Sequence, residues 1–93
     1  MNKAFIISYD LSNPGRNYES LLKRIKEYEG WARLGGSAYI IVVKQGVTTA
    51  QVRDYLMATL DRNDKLYVGA LSNSAAWVGL EEAVSNWIIN NQK

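Results

Sequence analysis

The spacing of hydrophobic positions changes several times along this chain, and each change predicts a new element of secondary structure. Residues 3–9, KAFIISY, form a short run rich in β-branched and aromatic residues, which predicts a strand. After the polar segment that follows, apolar residues recur at the i, i+3, i+4, i+7 spacing of an amphipathic helix. This stripe consists of Tyr18, Leu21, Leu22, Ile25 and Tyr28. Gly30 stands where a helix commonly ends, so we predict that the first helix extends to that glycine.

The rest of the chain repeats this order of strands and helices. Residues 31–44 contain two apolar runs separated by Gly-Gly, which predicts a hairpin. A second helix is predicted to begin at the capping-box pair Thr48 and Gln51. Residues 65–71, KLYVGAL, predict another strand, and the apolar stripe within residues 80–88 predicts a C-terminal helix. The order is βαββαβ with an added C-terminal helix, an α+β arrangement typical of the ferredoxin-like fold.

Three polar residues stand at the ends of three predicted neighbouring strands. Right-handed crossovers put the strands of this fold in the spatial order 4-1-3-2, with neighbours antiparallel. The first strand ends at Asp10, the third begins near Ser37, and the fourth begins just after Asp64. We therefore expect these residues to gather along one edge of the sheet, with Arg16 within reach of it. Each also has a purely structural interpretation, the two acids as turn-forming residues and the serine as part of a tight strand start.

Both faces of the predicted sheet are apolar. Phe5 and Ile7 alternate with Ile6 in the first strand, and residues 38–43 in the third strand are apolar throughout. An antiparallel sheet with one face in water would instead alternate apolar and polar residues. The first two helices can cover only one face, so the other face needs the C-terminal helix or a second copy of the chain. We favour a homodimer and keep the C-terminal helix as the alternative cover.

Composition narrows the chemistry open to this chain. With 93 residues and 47% hydrophobic content, we expect one compact domain spanning residues 1–93. The chain contains neither cysteine nor histidine, which excludes disulfides, thiolate zinc sites and a histidine base; any metal is expected to be a hard cation on oxygen ligands. The net charge of +2 does not by itself indicate a nucleic-acid partner. No run approaches the roughly 20 apolar residues of a membrane span, so we expect no membrane partner, and the missing cysteines fit a cytoplasmic location.

Three short segments together resemble one protein family. The chain has IISYD at the end of the first strand, GGSAY at the start of the third and NDKLYV at the start of the fourth. In this order and spacing they resemble the CRISPR-associated protein 2 superfamily, and the start YDL-x-x-PG-x-x-Y is similar to its small standalone members. The virulence-associated protein D toxins of the same superfamily have a comparable Gly-Ser-x-Tyr strand. The resemblance covers residues 3 to about 71.

The resemblance implies a homodimer in which the aspartates that end the first strand approach each other across the interface. In members with reported nuclease activity, this pair is thought to hold a magnesium ion that activates water on a phosphodiester, and Asp10 is the matching residue here. We therefore expect a metal-dependent endonuclease that uses Mg²⁺, with Mn²⁺ as the alternative. Asp10 is the expected metal ligand, with Ser37 as a supporting catalytic candidate and Asp64 as a supporting metal-ligand candidate. A hard cation prefers carboxylate oxygens, and it can both polarise a phosphate and lower the pKa of water.

Basic and aromatic residues supply candidates for contacts with a phosphate backbone or a base. These candidates are Arg16, Lys23, Arg33 and Trp77. Acidic residues are interspersed with the lysines of the first helix, which favours an ordinary solvated face for that part of the set. We predict that Trp31 and Trp87 belong to the core and that Trp77 is a surface contact.

Two further functions stay open beside the endonuclease. The same dimer would serve as a non-catalytic binding module that uses its groove and the loop at Trp77 to hold nucleic acid, a nucleotide or a protein partner. A toxin-like ribonuclease that acts on RNA is the third alternative.

Overall fold

Four strands and three helices are found in the computed structural model, which describes residues 3–12, 18–72 and 74–91. The elements in chain order are β1 (Lys3–Asp10), α1 (Glu19–Ile25), β2 (Gly30–Gly35), β3 (Ala38–Val43), α2 (Thr49–Met57), β4 (Lys65–Ala70) and α3 (Glu82–Asn91). None of the helices in these stretches has the length and apolar character that crossing a membrane requires. Arg16 lies outside the described residues.

The strands form one antiparallel sheet in the order β2-β3-β1-β4. β1 is central: it pairs with β3 on one side, where Ser8 lies opposite Ala38, and with β4 on the other, where Asp10 lies opposite Lys65. This is the strand order that right-handed crossovers predict. The α+β, ferredoxin-like arrangement with an added C-terminal helix is therefore confirmed.

The main core lies between one face of the sheet and the pair of helices α1 and α2. Alternate residues of β1 and β3 point to this face, because successive side chains of a strand point to opposite sides. The apolar stripes of the two helices meet them there. The buried residues are Phe5, Ile7, Tyr9, Leu21, Ile25, Tyr39, Ile41, Val43, Val52 and Leu56. Full burial of a large apolar side chain contributes about 1.5–3 kcal/mol, so this layer supplies a large part of the driving force for folding.

α1 is shorter than the sequence predicted. The helix stops at Ile25 with Lys26 as its C-cap, and Gly30 begins β2 opposite Val42 instead of ending the helix. Pairing between β2 and β3 needs extended backbone from this glycine onward, so the helix must end earlier. The absent side chain at Gly30 serves close packing, because a Cβ there would lie 3.3 Å from the ring of Trp87 in α3.

α2 begins at the predicted capping box. The Gln51 N–H donates to Thr48 Oγ1 at 3.1 Å, and the Thr48 N–H donates to Gln51 Oε1 at 2.9 Å. These reciprocal bonds satisfy two backbone donors that the start of a helix leaves unpaired. They fix the start of the helix whose Val52 and Leu56 enter the core.

The second face of the sheet is covered over only one half. α3 packs on β2, with Ile88 buried, and the β2–β3 half of this face is buried at Ala32, Ile40 and Val42. The C-terminal helix, which was the alternative to a homodimer in the sequence analysis, therefore covers that half. Over β1 and β4 the side chains on this face are exposed at Ser8, Asp10, Lys65 and Tyr67. Ile6 and Ala70 line a groove with residues 74–78, so within the described residues it is the Asp10 end of this half that has no cover.

Candidate functional site

Asp10 occupies the last position of β1, on the uncovered half of the second sheet face. Its side chain is exposed, and its Cα lies opposite that of Lys65 in β4. Directly opposite residues of an antiparallel pair point to the same face, so a carboxylate and an ammonium group share this end of the sheet. In the described part of the chain, the Asp10 carboxylate has no hydrogen-bond or ion-pair partner. It is an available oxygen ligand at the exposed end of a central strand.

Ser37 lies next to this strand end, in the turn between β2 and β3. Its backbone carbonyl accepts a hydrogen bond from the Tyr9 N–H at 3.1 Å. The Tyr9 hydroxyl donates to the Gly36 carbonyl at 3.4 Å, and burial, followed by the neighbouring Tyr39, raises the pKa of Tyr9, so this donor stays protonated. Ser37 thus holds the end of β1 through its backbone, which is the structural role that the sequence analysis weighed against catalysis.

Asp64 connects the segment that follows β1 with the loop between α2 and β4 through hydrogen bonds. Its Oδ1 accepts hydrogen bonds from the Ser12 N–H at 2.7 Å, the Ser12 hydroxyl at 2.9 Å and the Tyr18 hydroxyl at 3.0 Å, and its Oδ2 accepts from the Asp61 N–H at 2.8 Å. Desolvation raises the pKa of this carboxyl, but the bonds from Ser12, Asp61 and Tyr18 together outweigh it and lower the pKa from 3.8 to about 2. Both oxygens are engaged inside the protein. The geometry therefore favours the structural interpretation of Asp64 over metal binding.

The three strand-end residues do lie along one edge of the sheet, as the strand order predicted. Asp10 pairs with Lys65, which follows Asp64, and Ser37 bonds the backbone of Tyr9. Among the described residues, however, no group of three acidic side chains is arranged to hold a metal ion. In the part of the chain that the structure describes, Asp10 is the carboxylate that remains available at this edge.

Sequence reasoning overlooked Lys65 and Tyr67, which share the uncovered half-face with Asp10. Tyr67 lies opposite Ser8 and is 64% exposed. The sequence does contain a pattern that indicates this placement. In the segment KLYVG, the apolar residues Leu66 and Val68 alternate with Lys65 and Tyr67, and the apolar pair packs against the core. Their alternation assigns Lys65 and Tyr67 to the opposite face.

The basic candidates are spread over separate parts of the surface. Lys23 is exposed on α1, whereas the Arg33 Nε–H donates to the Gly35 carbonyl at 2.9 Å and so braces its own turn. Lys44 pairs with Glu29 at 3.6 Å. The described candidates Lys23 and Arg33 therefore belong to different elements, α1 and β2.

The tryptophans follow the sequence-based assignment only in part, because Trp87, which was also predicted to be core, is half-buried. Trp77 is 38% exposed, and its indole N–H donates to the Ser85 hydroxyl at 2.9 Å, which fastens the segment before α3 to that helix. It lines an apolar groove of about 590 Å³ on the second face, together with Ile88. The prediction that Trp31 belongs to the core is wrong, because this residue is 40% exposed. Trp31 lies on the edge strand β2, beyond the cover that the short α1 provides.

Comparison with known proteins adds support for the fold. No protein-family model matches the chain. Among solved structures, the chain is similar to the crystal structure of a hypothetical protein, TT1823, from Thermus thermophilus. The two are 17% identical, the match covers 86% of this chain and 94% of the other, and the TM-score is 0.66. At this level of identity the likeness establishes a shared fold alone.

Proposed function

We propose that this chain acts as a homodimeric, metal-dependent endonuclease in which Asp10 of each protomer binds one shared Mg²⁺ ion. The observation that carries the proposal is the exposed Asp10 carboxylate, which has no partner in the described part of the chain and stands on an uncovered half of the sheet. The resemblance of the IISYD, GGSAY and NDKLYV segments to the CRISPR-associated protein 2 superfamily supports the same assignment.

A second copy of the chain would supply what one copy lacks. In a two-fold symmetric interface the same patch meets itself, so a residue near the axis approaches its own copy. The uncovered half-face over β1 and β4 is suited to such pairing because Tyr67 adds an exposed aromatic ring beside Asp10 and Ser8. Pairing there converts one available carboxylate into two, a donor set that fits a hard cation.

The residues of this chain then have separate tasks. Asp10 would hold the cation, and the bound cation would supply polarisation of the phosphate and a lower pKa for water. Lys65, opposite Asp10, places a positive charge where a phosphate oxygen would approach. Ser37 and Asp64 act through backbone and loop contacts that hold the end of β1 in place.

The direct test compares Asp10→Asn with the wild type on single-stranded and duplex DNA and RNA, with Mg²⁺, with Mn²⁺ and with EDTA. Loss of residues that only support metal ligands costs about 10–100-fold, so loss of the ligand should reduce cleavage at least that much. Asp54→Asn is the matched control, because Asp54 is an exposed acid of α2 that pairs with Arg53 at 2.8 Å. Cleavage that survives Asp10→Asn, or that needs no metal, contradicts the assignment.

Two measurements without catalysis test the same site. Sedimentation should give a dimer at micromolar concentration, and a monomer would contradict the shared carboxylate pair. Calorimetric titration should give about one Mg²⁺ per two chains in the wild type and none in Asp10→Asn.

A non-catalytic binding module is the second candidate, favoured by the observation that the described residues of one chain hold no group of three acidic side chains that could bind a metal ion. Nucleic acid bound without cleavage, by wild type and Asp10→Asn alike, would establish that function instead. Cleavage of RNA with no cleavage of DNA would assign the toxin-like ribonuclease.

A further inference from the structure

Trp31 presents an indole ring on the surface of the helix-covered side of the sheet, away from Asp10. It lies opposite Ile41 in the register of β2 and β3, toward the other end of the strands. Its ring centroid is 6.1 Å from that of the buried Tyr39, at an interplanar angle of 55°. One part of the indole is thus held by the core, while 40% of the residue stays exposed. The ring is therefore accessible on one side and packs beside a core aromatic residue on the other.

Lys26, the C-cap of α1, adjoins this ring. The Lys26 ammonium lies 4.8 Å from the centre of the Trp31 ring, and Lys23 stands one turn earlier on the same helix. Lys23 and Lys26 also line a surface depression of about 540 Å³, together with Glu19, Ser20 and Leu22. Within the described residues neither lysine has a carboxylate at ion-pair distance.

The acidic residues nearby are engaged with other groups. Glu29 pairs with Lys44, and Glu27 accepts a short hydrogen bond from the Tyr55 hydroxyl. Glu19 borders the depression, at the end away from Trp31. The positive charges of Lys23 and Lys26 therefore remain available, with Lys26 beside the exposed indole.

We propose that Trp31, Lys26 and Lys23 form a binding platform for single-stranded nucleic acid, in which one unpaired base stacks on the indole and the lysines contact the adjacent phosphates. Stacking on an aromatic side chain combined with lysine contacts to the backbone is the usual chemistry of single-strand binding. An acidic protein segment would meet the lysines equally well, but it would make no use of an exposed, oriented ring. The contact between Lys26 and the ring is weak at an exposed site, so a base can replace it. The inference rests on the proposed function only in taking nucleic acid as the partner.

The test measures binding in EDTA, so that it does not depend on cleavage. The probe is a fluorescein-labelled single strand of about 12 nucleotides, within the length that one small domain contacts, read by anisotropy. Trp31→Ala should raise Kd about fivefold or more, whereas Trp31→Phe, which keeps a ring, should have a smaller effect. The double variant Lys23→Gln, Lys26→Gln should reduce the slope of log K against log salt by roughly 1.4. Lys44→Gln, the same type of substitution at a lysine already paired with Glu29, should leave both the Kd and the salt slope nearly unchanged.

A second readout covers the case in which Trp31→Ala does not fold. In a variant carrying Trp77→Phe and Trp87→Phe, Trp31 is the remaining tryptophan, and its fluorescence should be quenched when the oligonucleotide binds. Trp31 fluorescence that does not change on binding would overturn the platform. So would a loss of affinity in Lys44→Gln as large as that in the double lysine variant. Equal affinity for the matching duplex, or displacement of the probe by poly-glutamate as effective as by unlabelled oligonucleotide, would overturn it as well. If Asp10→Asn loses cleavage while Trp31→Ala binds the oligonucleotide normally, the platform is refuted and the proposed function stands. If the oligonucleotide binds through Trp31 but the wild type cleaves nothing, the platform stands and the proposed function is refuted.

Discussion

Replacing Ile88 with alanine tests whether α3 is a working part of the fold or an appendage. Ile88 is 3% exposed and is the buried residue of this helix, whereas its neighbour Ile89 is 57% exposed. The two positions carry the same side chain in the same helix, so they form a matched pair. Both alanine variants change helix propensity by the same amount. The difference between their free energies of unfolding therefore reports the burial of Ile88 on the sheet.

The expected cost of Ile88→Ala follows from the atoms removed. The substitution deletes three carbon atoms, and burial contributes about 0.8 kcal/mol for each, or about 2.4 kcal/mol together. A cavity in an enclosed core would add to this and take the total toward the upper end of the usual 2–5 kcal/mol. Ile88 also borders the open groove beside Trp77, so only a small enclosed cavity remains. We therefore expect about 2–3 kcal/mol for Ile88→Ala and less than about 0.5 kcal/mol for Ile89→Ala.

Urea unfolding followed by circular dichroism measures both values, with the slope against urea checked for two-state behaviour. In a domain of this size the cost at Ile88 corresponds to a melting temperature lower by roughly 10–20 °C. Equal and small effects at the two positions would refute the packing of α3 on the sheet. A large effect at Ile89 accompanied by dissociation in the ultracentrifuge would instead mean that a second copy covers the outer side of α3.

Two further predictions concern loop and helix ends. Asp64→Ala should be less stable than the wild type at neutral pH, since four hydrogen bonds from Ser12, Tyr18 and Asp61 are lost. The pKa of Asp64 in the folded protein, about 2, lies below the ordinary 3.8, so its contribution to stability is present above pH 3.8 and disappears as the pH falls through 2. If the urea midpoints of wild type and Asp64→Ala differ as much near pH 2 as at neutral pH, this prediction is wrong. Thr48→Ala should cost about 0.5–2 kcal/mol through loss of the α2 cap, and Thr49→Ala, one residue later, should cost less in the same measurement.

The sequence predicted the elements whose cause is local. A period of two gave the strands, a period near 3.6 gave the helices, and the Thr48 and Gln51 pair located the start of α2. The strand order could then be predicted from the right-handed crossover connections, because these allow few arrangements of the strands. The end of α1 was placed too late because β2 pairs with β3 from Gly30 onward, and that requirement comes from a strand eight residues further along.

The candidate site was only partly predictable for a similar reason. Asp10 could be assigned to a strand end from residues next to it in the sequence, but its neighbour Lys65 depends on the register of β4. Asp64 resembles Asp10 in the sequence, as an acid at a strand boundary. In the structure, the Asp64 carboxylate accepts hydrogen bonds from four donors of Ser12, Tyr18 and Asp61, which makes it a structural group. Two of these residues follow β1 and the third precedes β4, so only the folded chain brings them together.

By itself, then, the sequence determined the order of elements, the central position of β1 and the absence of histidine and cysteine chemistry. The tertiary structure decided which polar groups stay available. Burial and hydrogen bonding depend on atoms brought together from distant segments. They give hydrogen-bond partners to the Asp64 carboxylate and the Trp77 indole N–H, and they leave the Asp10 carboxylate exposed. Local patterns determine which way a side chain points along its own element. Only the packed chain determines whether anything else reaches it.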